Sequence, residues 1–257
     1  MPIICLLLWL FPQQDPKPLP ELKTFLAETR KKLHPDEVLL SEYTYSEKIT
    51  DIAIGSDGQS RKTEVSVYEV TRDAKSGQTY RRLVSKNGSP VNSSKPEKVG
   101  QRRGRSRSDE DKTIDDVFAA FDFRIVSRED LSGRPAIRMA FKPRANYKPK
   151  TFTGKFFSHV QGEAWVNEDD HELVRMDAEL IDNFSVGFGL LAKMQKGAHI
   201  YVERQKINDE IWLPAAAAVS VNGRVLAMKV NRRITVEYSD YKKFNVDTVI
   251  KFPDVDK

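Results

Sequence analysis

Apolar and polar side chains alternate over a long segment near the C-terminus of this 257-residue chain. Successive side chains of a β-strand point to opposite faces, so a period of two residues predicts a strand with one dry face and one wet face. Such strands belong to antiparallel sheets, whose apolar face must be covered by helices, a partner or a ligand. The apolar positions of the segment are Leu226, Met228, Val230, Ile234, Val236 and Tyr238.

The same period dominates the chain from Val38 onward, where turn sequences divide it into hairpins. Asn-Gly and Asp-Gly pairs accept positive φ and therefore favour tight turns between antiparallel strands. Because strands and helices do not alternate, we expect no parallel sheet, and we count about ten or eleven strands. The predicted strands are 38–54, 61–72, 78–86, 89–92, 122–130, 134–143, 161–167, 172–182, 197–208, 210–222 and 224–239, with turns at 56–58, 87–88, 132–133, 168–170 and 222–223.

Two segments have helical spacing instead. Apolar residues recur every three or four positions between Leu22 and Leu33, which predicts an amphipathic helix packed on the sheet. A second, short helix is predicted from Thr113, because Thr113 and Asp116 resemble a capping box. Its apolar stripe would consist of Ile114, Val117, Phe118 and Phe121.

The N-terminus carries nine apolar residues, from Ile3 to Phe11, ahead of a Pro-rich stretch. A membrane span needs about 20 residues, but nine suit the apolar core of an export signal. No basic residue precedes the run and no small-x-small cleavage pattern follows it, so either the start is assigned too far downstream or the segment is a buried strand or arm. We expect export to the periplasm, with residues 1–19 forming the signal-like segment and linker and residues 20–250 a single domain. Cleavage would remove Cys5, the one cysteine, which suits an oxidising compartment.

The net charge of +5 is concentrated in one segment, because residues 95–107 hold six basic residues and one acid. We expect residues 92–112 to form a disordered basic loop. As a rival hypothesis, its arginines could bind nucleic acid, but no aromatic residue is interleaved for base stacking and acids follow from Asp109. We therefore expect no nucleic acid partner and assign the loop a contact with an anionic membrane surface. The residues of that contact are Arg102, Arg103, Arg105 and Arg107.

No pattern of a catalytic or metal site occurs in the sequence. The histidines His34, His159, His171 and His199 have no metal-ligand spacing, and no GxSxG, HExxH or phosphate-binding glycine loop is found. We expect no enzyme activity, no cofactor and no metal.

A glycine-interrupted apolar segment, residues 183–197, is the candidate for a ligand-binding lid. Its glycines break helix and strand alike, and Lys193 and Lys196 lie close to the apolar side chains. Such a segment could receive acyl chains and anionic head groups, or its side chains could simply fill the core. The candidate ligand-binding residues are Phe184, Val186, Phe188, Leu190, Leu191 and Met194.

The order of elements resembles the LolA/LolB-like superfamily of periplasmic lipoprotein carriers and the related domain of RseB-type stress regulators. The resemblance covers most of residues 20–245 and is carried by four stretches: GEAWVN at 162–167, HELVRM at 171–176, IWLP at 211–214 and VEYSDYKKF at 236–244. It implies a mostly β, α+β fold, in which a strongly curved antiparallel sheet forms an unclosed barrel with helices covering its concave face. It also implies a concave side that receives acyl chains.

The first functional hypothesis is an exported, non-enzymatic carrier or sensor of acyl chains, lipids or lipoproteins in the cell envelope. Burial contributes about 0.8 kcal/mol per methylene, so affinity would come from apolar area and would leave no sequence motif. The alternative is a periplasmic interaction module, similar to the stress-regulator domain, that holds an envelope protein. The third hypothesis is a nucleic-acid-associated protein that uses the basic loop.

Overall fold

A computed structural model describes residues 17–34, 39–40, 42–73, 78–92, 95–98, 107–186, 191–226 and 228–243. Within these ranges the chain forms the helices α1 (Leu22–Lys32), α2 (Arg107–Ala120) and α3 (Phe152–Phe157). The strands are β1 (Tyr43–Ile54), β2 (Ser60–Arg72), β3 (Thr79–Lys86), β4 (Ser89–Pro90), β5 (Glu97–Lys98), β6 (Phe121–Leu131), β7 (Arg134–Pro143), β8 (Val160–Asn167), β9 (Leu173–Leu180), β10 (Phe184–Val186), β11 (Ala192–Met194), β12 (His199–Ile207), β13 (Ile211–Val225) and β14 (Met228–Lys243).

All fourteen strands belong to one antiparallel sheet, in the order β4-β3-β2-β1-β14-β13-β12-β9-β8-β7-β6. β5 pairs with β3, and the β10–β11 hairpin joins the sheet through β13. The two outermost strands, β4 and β6, do not pair with each other, so the sheet is not closed into a barrel. Register shifts between β1 and β14, between β6 and β7 and between β12 and β13 mark β-bulges, which bend strands. The predicted fold class, a mostly β, unclosed antiparallel sheet with helices, is confirmed.

Helix α1 confirms the first predicted helix. It begins after Glu21, whose carboxylate accepts hydrogen bonds from the backbone N–H groups of Lys23 at 2.9 Å and Thr24 at 2.7 Å. These bonds satisfy two of the donors that every helix start leaves open. The buried Phe25 packs against Ile137, Met139 and Val166 of the sheet. Helix α1 therefore covers one face of β7 and β8.

Helix α2 begins at Arg107, ahead of the predicted start at Thr113. Thr113 lies inside the helix, so the predicted capping box is wrong. Asp116 instead accepts hydrogen bonds from the Tyr147 hydroxyl at 3.2 Å and from the Thr151 hydroxyl, and thereby ties α2 to the start of α3. Residues 107–112 of the predicted basic loop are part of this helix.

Helix α3 is missing from the predictions because its six residues are too few to show an apolar stripe. The Thr151 hydroxyl accepts a hydrogen bond from the Gly154 N–H at 2.8 Å and caps the helix. Among the described residues, no helix is both long enough and apolar enough to cross a membrane.

Several predicted turns are confirmed by their backbone angles. Asn87 and Gly88 have φ of 49° and 82°, and Ser132 and Gly133 have φ of 56° and 79°. These left-handed conformations match the right-handed twist of the flanking strands.

The turn predicted at Asn222-Gly223 is wrong. β13 continues to Val225, and Leu226 with φ of 52° follows the strand. Gly223 serves another purpose, because a Cβ atom there would lie 2.1 Å from the carbonyl oxygen of Lys193 in β11. The glycine thus permits two backbones to approach closely. The other strands that prediction missed, β5, β10 and β11, are two or three residues long and show no alternation.

Candidate apolar ligand site

The pairing register brings large and small apolar side chains together on the helix-covered face. Phe123 pairs with Phe141, Phe141 with Gly162, and Gly162 with Ala178. Paired residues of adjacent strands point to the same face of a sheet. Because the small residues Gly162 and Ala178 continue the row that begins with Phe123 and Phe141, β8 and β9 fill less of the space beneath the helices than β6 and β7 do. A Cβ atom on Gly162 would lie 2.9 Å from the Phe141 ring and 2.1 Å from the carbonyl oxygen of Asp177, so this site requires glycine.

A cavity of about 150 Å³ lies in that space. Its floor consists of β6, β7, β8, β9 and β12, and α2 and α3 form its cover. Each of its eleven lining residues is apolar. An apolar cavity of ~150 Å³ has room for a group the size of benzene. The lining residues are Val117, Phe121, Phe123, Phe141, Phe156, Phe157, Val160, Ala164, Met176, Ala178 and Ile200.

Aromatic contacts hold the cavity wall together. The ring of Phe121 lies 5.0 Å from the ring of Phe141 and 5.4 Å from that of Phe157, both at steep angles. Phe156 of the cover meets Phe184 edge-on at 5.4 Å. Such tilted pairs contribute about 0.5–1.5 kcal/mol each beyond their buried area. The cover of the cavity is thus fixed to its floor and to the neighbouring β10–β11 hairpin.

The apolar surface continues from the cavity across the central strands. Ile200 of the cavity wall pairs with Val219 of β13, which in turn pairs with Ile234 of β14. These side chains lie on the same face, and Val219 is 36% exposed. We call Ile200, Val219 and Ile234 the apolar strip. It offers a path by which a chain longer than the cavity could lie along the sheet.

A half-buried ion pair lies on the same face in β1 to β3. Glu47 of β1 pairs with Tyr68 of β2, and the Arg81 guanidinium lies 4.2 Å from the centre of the Tyr68 ring and 3.7 Å from the Glu47 carboxylate. Burial raises the pKa of Glu47, and the charge of Arg81 opposes this change. Glu47 is two residues from Ile49, and Ile49 pairs with Val236 beside the apolar strip. A cation and a carboxylate therefore adjoin the apolar surface.

The predicted lid residues form the β10–β11 hairpin beside the cavity. Phe184 is buried, and its ring lies 5.7 Å from that of Phe152. Val186 and Met194 pack against the same cluster, whereas Leu191 is 56% exposed. The other two predicted ligand-binding residues, Phe188 and Leu190, lie outside the described residues.

The predicted membrane-contact arginines are mostly outside the described part of the chain. Arg102, Arg103 and Arg105 fall there, and Arg107 is the first residue of α2. The described residues give no geometry for this cluster, and its role stays a prediction.

The opposite face of the sheet carries an open, charged trough of about 760 Å³. Trp165 lines it and donates a hydrogen bond from Nε1 to Glu129 at 2.8 Å, and that bond lowers the pKa of Glu129. His199 lies 2.6 Å from Asp177 in the same trough. Charged residues of both signs line the trough: Asp122, Arg124, Lys142, Glu163, Asp177 and Glu179.

The described residues contain no group of three or more His, Cys, Asp or Glu side chains that could hold a metal ion. The histidines lie apart: His159 contacts Asp182, His199 contacts Asp177, and the His171 ring lies 5.0 Å from that of Phe25. What the cavity itself offers chemically is apolar burial.

Sequence reasoning missed most of the cavity wall. Residues such as Phe156, Ala164 and Ala178 come from separate elements, and each looks like ordinary core by itself. Two signals were present in the sequence: the Phe-rich stretch 152–157, and the small residues of GEA at 162–164 opposite bulky strands.

No protein-family model and no curated protein matches the chain. Among solved structures, a LolA superfamily protein from Nitrosomonas europaea is 12% identical with a TM-score of 0.33, covering 87% of this chain and 93% of its own. A DUF1329 family protein from Desulfovibrio piger is 14% identical with a TM-score of 0.36, covering 86% and 92%. A putative outer membrane lipoprotein-sorting protein domain from Vibrio parahaemolyticus is 11% identical with a TM-score of 0.35, covering 86% and 91%.

The superfamily that the sequence resembles therefore appears among the structures to which this chain is similar.

Proposed function

We propose that this chain is an exported, non-enzymatic carrier or sensor that binds acyl chains of lipids or lipoproteins in the cell envelope. The observation that carries the proposal is the cavity of about 150 Å³ under α2 and α3, with its wholly apolar lining. Export is inferred from the apolar segment Ile3 to Phe11, which lies outside the described residues.

The size of the cavity indicates how such a ligand would bind. A pocket for a drug-sized molecule measures roughly 300–1,000 Å³, so this cavity suits the end of an acyl chain. The rest of the chain would lie along the apolar strip, where each methylene removed from water adds about 0.8 kcal/mol. A carboxylate or phosphate at the polar end would reach the side of the sheet that carries Arg81.

Filling the cavity tests the proposal. We expect Ala178→Leu to occupy the space of about two ligand methylenes and to weaken binding of a fluorescent fatty acid about tenfold. Its melting temperature should stay level or rise, because the added side chain fills a void. The measurement is fluorescence titration, together with lipid extraction and mass spectrometry of the protein purified from its native envelope.

The matched control is Ala218→Leu, which adds the same group on the opposite face of β13. Tight fatty-acid binding that is unchanged by Ala178→Leu would contradict the proposed site.

A second candidate function is an interaction module for an envelope protein. The charged trough of about 760 Å³ on the opposite face favours it, because an aromatic side chain and charges of both signs suit a polar peptide segment. A protein that is purified without lipid and binds no fatty acid would favour this second function over the first.

A further inference from the structure

We propose that the end of the β13–β14 hairpin docks on an anionic lipid membrane. We call this surface the cationic apolar tip. It comprises Leu191, Lys193, Arg224, Val225, Leu226, Met228 and Lys229. The proposal goes beyond the carrier function and needs no ligand in the cavity.

The hairpin projects beyond the strands on either side of it. Pairing of β13 with β12 ends at Ser220, and pairing of the described residues of β14 with β1 begins at Arg232. Between these points β13 and β14 pair with each other, and the short strand β11 pairs with residues 223–225. The described strands therefore leave the end of the hairpin outside the main body of the sheet.

Four large apolar side chains are exposed together at this end. Leu191, Val225, Leu226 and Met228 are 56%, 47%, 57% and 66% exposed. Val225 pairs with Met228, and the Leu226 N–H donates to the Leu191 carbonyl oxygen at 2.8 Å, so the four residues lie close together at the end of the hairpin. Single exposed apolar residues are common, but a contiguous patch indicates an interaction surface.

A row of cations lies on the other face of the same hairpin end, one residue along each strand from Val225 and Met228. Lys193 pairs with Arg224, and Arg224 pairs with Lys229, so three basic residues are in register across β11, β13 and β14. An anionic membrane surface attracts basic side chains that lie near it. The chain contains no acid in residues 183–202 or 211–236, which together include every residue of the tip.

The chemistry of the tip favours a membrane over a protein. Cations beside aliphatic side chains and methionine match the boundary between anionic head groups and acyl chains. Protein interfaces are enriched in Tyr, Trp, Phe, Met and Arg and depleted in Lys. The tip has no aromatic residue and carries two lysines, Lys193 and Lys229.

Vesicle co-sedimentation tests the proposal with the full chain. We expect binding to vesicles of equal parts phosphatidylglycerol and phosphatidylcholine, weak binding to pure phosphatidylcholine, and a loss of binding as salt rises. Each basic residue near an anionic surface changes partitioning about fivefold, so K193Q/R224Q/K229Q should lower it about 100-fold. L226S/M228S should also weaken binding without removing any charge.

The matched control is K23Q/K148Q/K150Q, which gives the same net charge through exposed lysines away from the tip. Circular dichroism and the melting temperature establish that each variant is folded. If the double variant L226S/M228S is unstable, Met228→Ser takes its place, because it changes only one exposed side chain. Equal losses from the tip triple and the control triple would overturn the proposal, as would the absence of binding to anionic vesicles. Binding of soluble polyglutamate as tight as binding to anionic vesicles would also overturn it. So would a dimer, detected by sedimentation velocity, that L226S/M228S disrupts while the protein binds no vesicles.

Discussion

Arg128 and Glu168 form a bidentate pair on the helix-covered side of the sheet. Arg128 Nε and Nη2 lie 2.6 Å and 2.8 Å from the two carboxylate oxygens, and Lys17 Nζ lies 2.9 Å from the second. Arg128 Nη2 also donates to the Pro18 carbonyl oxygen at 2.8 Å. The Glu168 side chain is 8% exposed, so little water competes for these bonds. This cluster ties the segment that precedes α1 to β6 and to the turn after β8.

The hydrogen bond from Arg128 lowers the pKa of Glu168 below its usual 4.5. A carboxyl whose pKa is depressed by folding stabilises the protein above its ordinary pKa, and that contribution disappears as pH falls through the lower folded value. We expect Glu168→Gln to cost about 1–2 kcal/mol at neutral pH and progressively less at pH values below 4.5. Urea denaturation across this pH range measures the difference.

Glu237→Gln is the control, because its pair with Lys48 is about half exposed and should contribute little. A cost for Glu168→Gln that is the same at acidic and neutral pH would contradict the assigned role.

At the scale of single residues, the sequence predicts contacts between residues that are close along the chain but not contacts between residues that are far apart along it. Thr113 and Asp116 have the spacing of a capping box, yet the Asp116 carboxylate binds Tyr147 and Thr151, which lie more than thirty residues downstream. Spacing along the chain carries no information about such a partner.

The attachment of the β10–β11 hairpin depends on one glycine. Because a Cβ atom on Gly223 would lie 2.1 Å from the Lys193 carbonyl oxygen, we expect Gly223→Ala to detach β11 from β13 while the rest of the sheet persists. Hydrogen exchange should accelerate at the amides of Gln195 and Leu226, which donate to Asn222 and Leu191. Asn222→Ala is the control on the same strand. Unchanged protection of both amides in Gly223→Ala would show that the strands can separate slightly without losing their bonds.

Long elements were predictable and short ones were not. The strands from 43 to 86 and from 121 to 180 follow from alternation and turn residues, and their bounds differ from prediction by a few residues. Helix α3 and strands β10 and β11 form because neighbouring elements hold them, so their own sequences show no period. The turn predicted at Asn222-Gly223 is wrong because a glycine can mark a place where two backbones lie close together as well as a turn that reverses the chain.

The whole molecule has a well-covered half and a thinly covered half. Ile137, Met139, Val166 and Leu180, on β7 to β9, are at most 2% exposed, whereas most residues of β2 are partly or fully exposed. Local opening costs less where fewer apolar contacts are lost. We expect amide exchange to be slowest in β7 and β8 and markedly faster in β2 and β3, as measured by native-state hydrogen exchange. Equal protection across the sheet would indicate that it opens as one unit.

The cavity is a property of the whole molecule, because several helices and strands form it together. The sequence predicted a sheet with an apolar face and helical covers, and that much follows from periodicity. The void itself arises where residues of α2, α3 and five strands meet, with Gly162 and Ala178 leaving space that Phe141 and Phe156 surround. No single segment encodes it, so it could not be read from the chain.

An unclosed sheet has two rims, and both could recruit strands from other molecules. One rim ends in the two-residue strands β4 and β5, which are too short to template much pairing. The other rim is β6, eleven residues long, on whose outer side no described strand pairs. Its sequence contains Asp122, Arg124, Arg128, Glu129 and Asp130, and ionised side chains at a rim discourage self-association and fibril growth. The sheet can thus stay unclosed without exposing a border that readily pairs with other molecules.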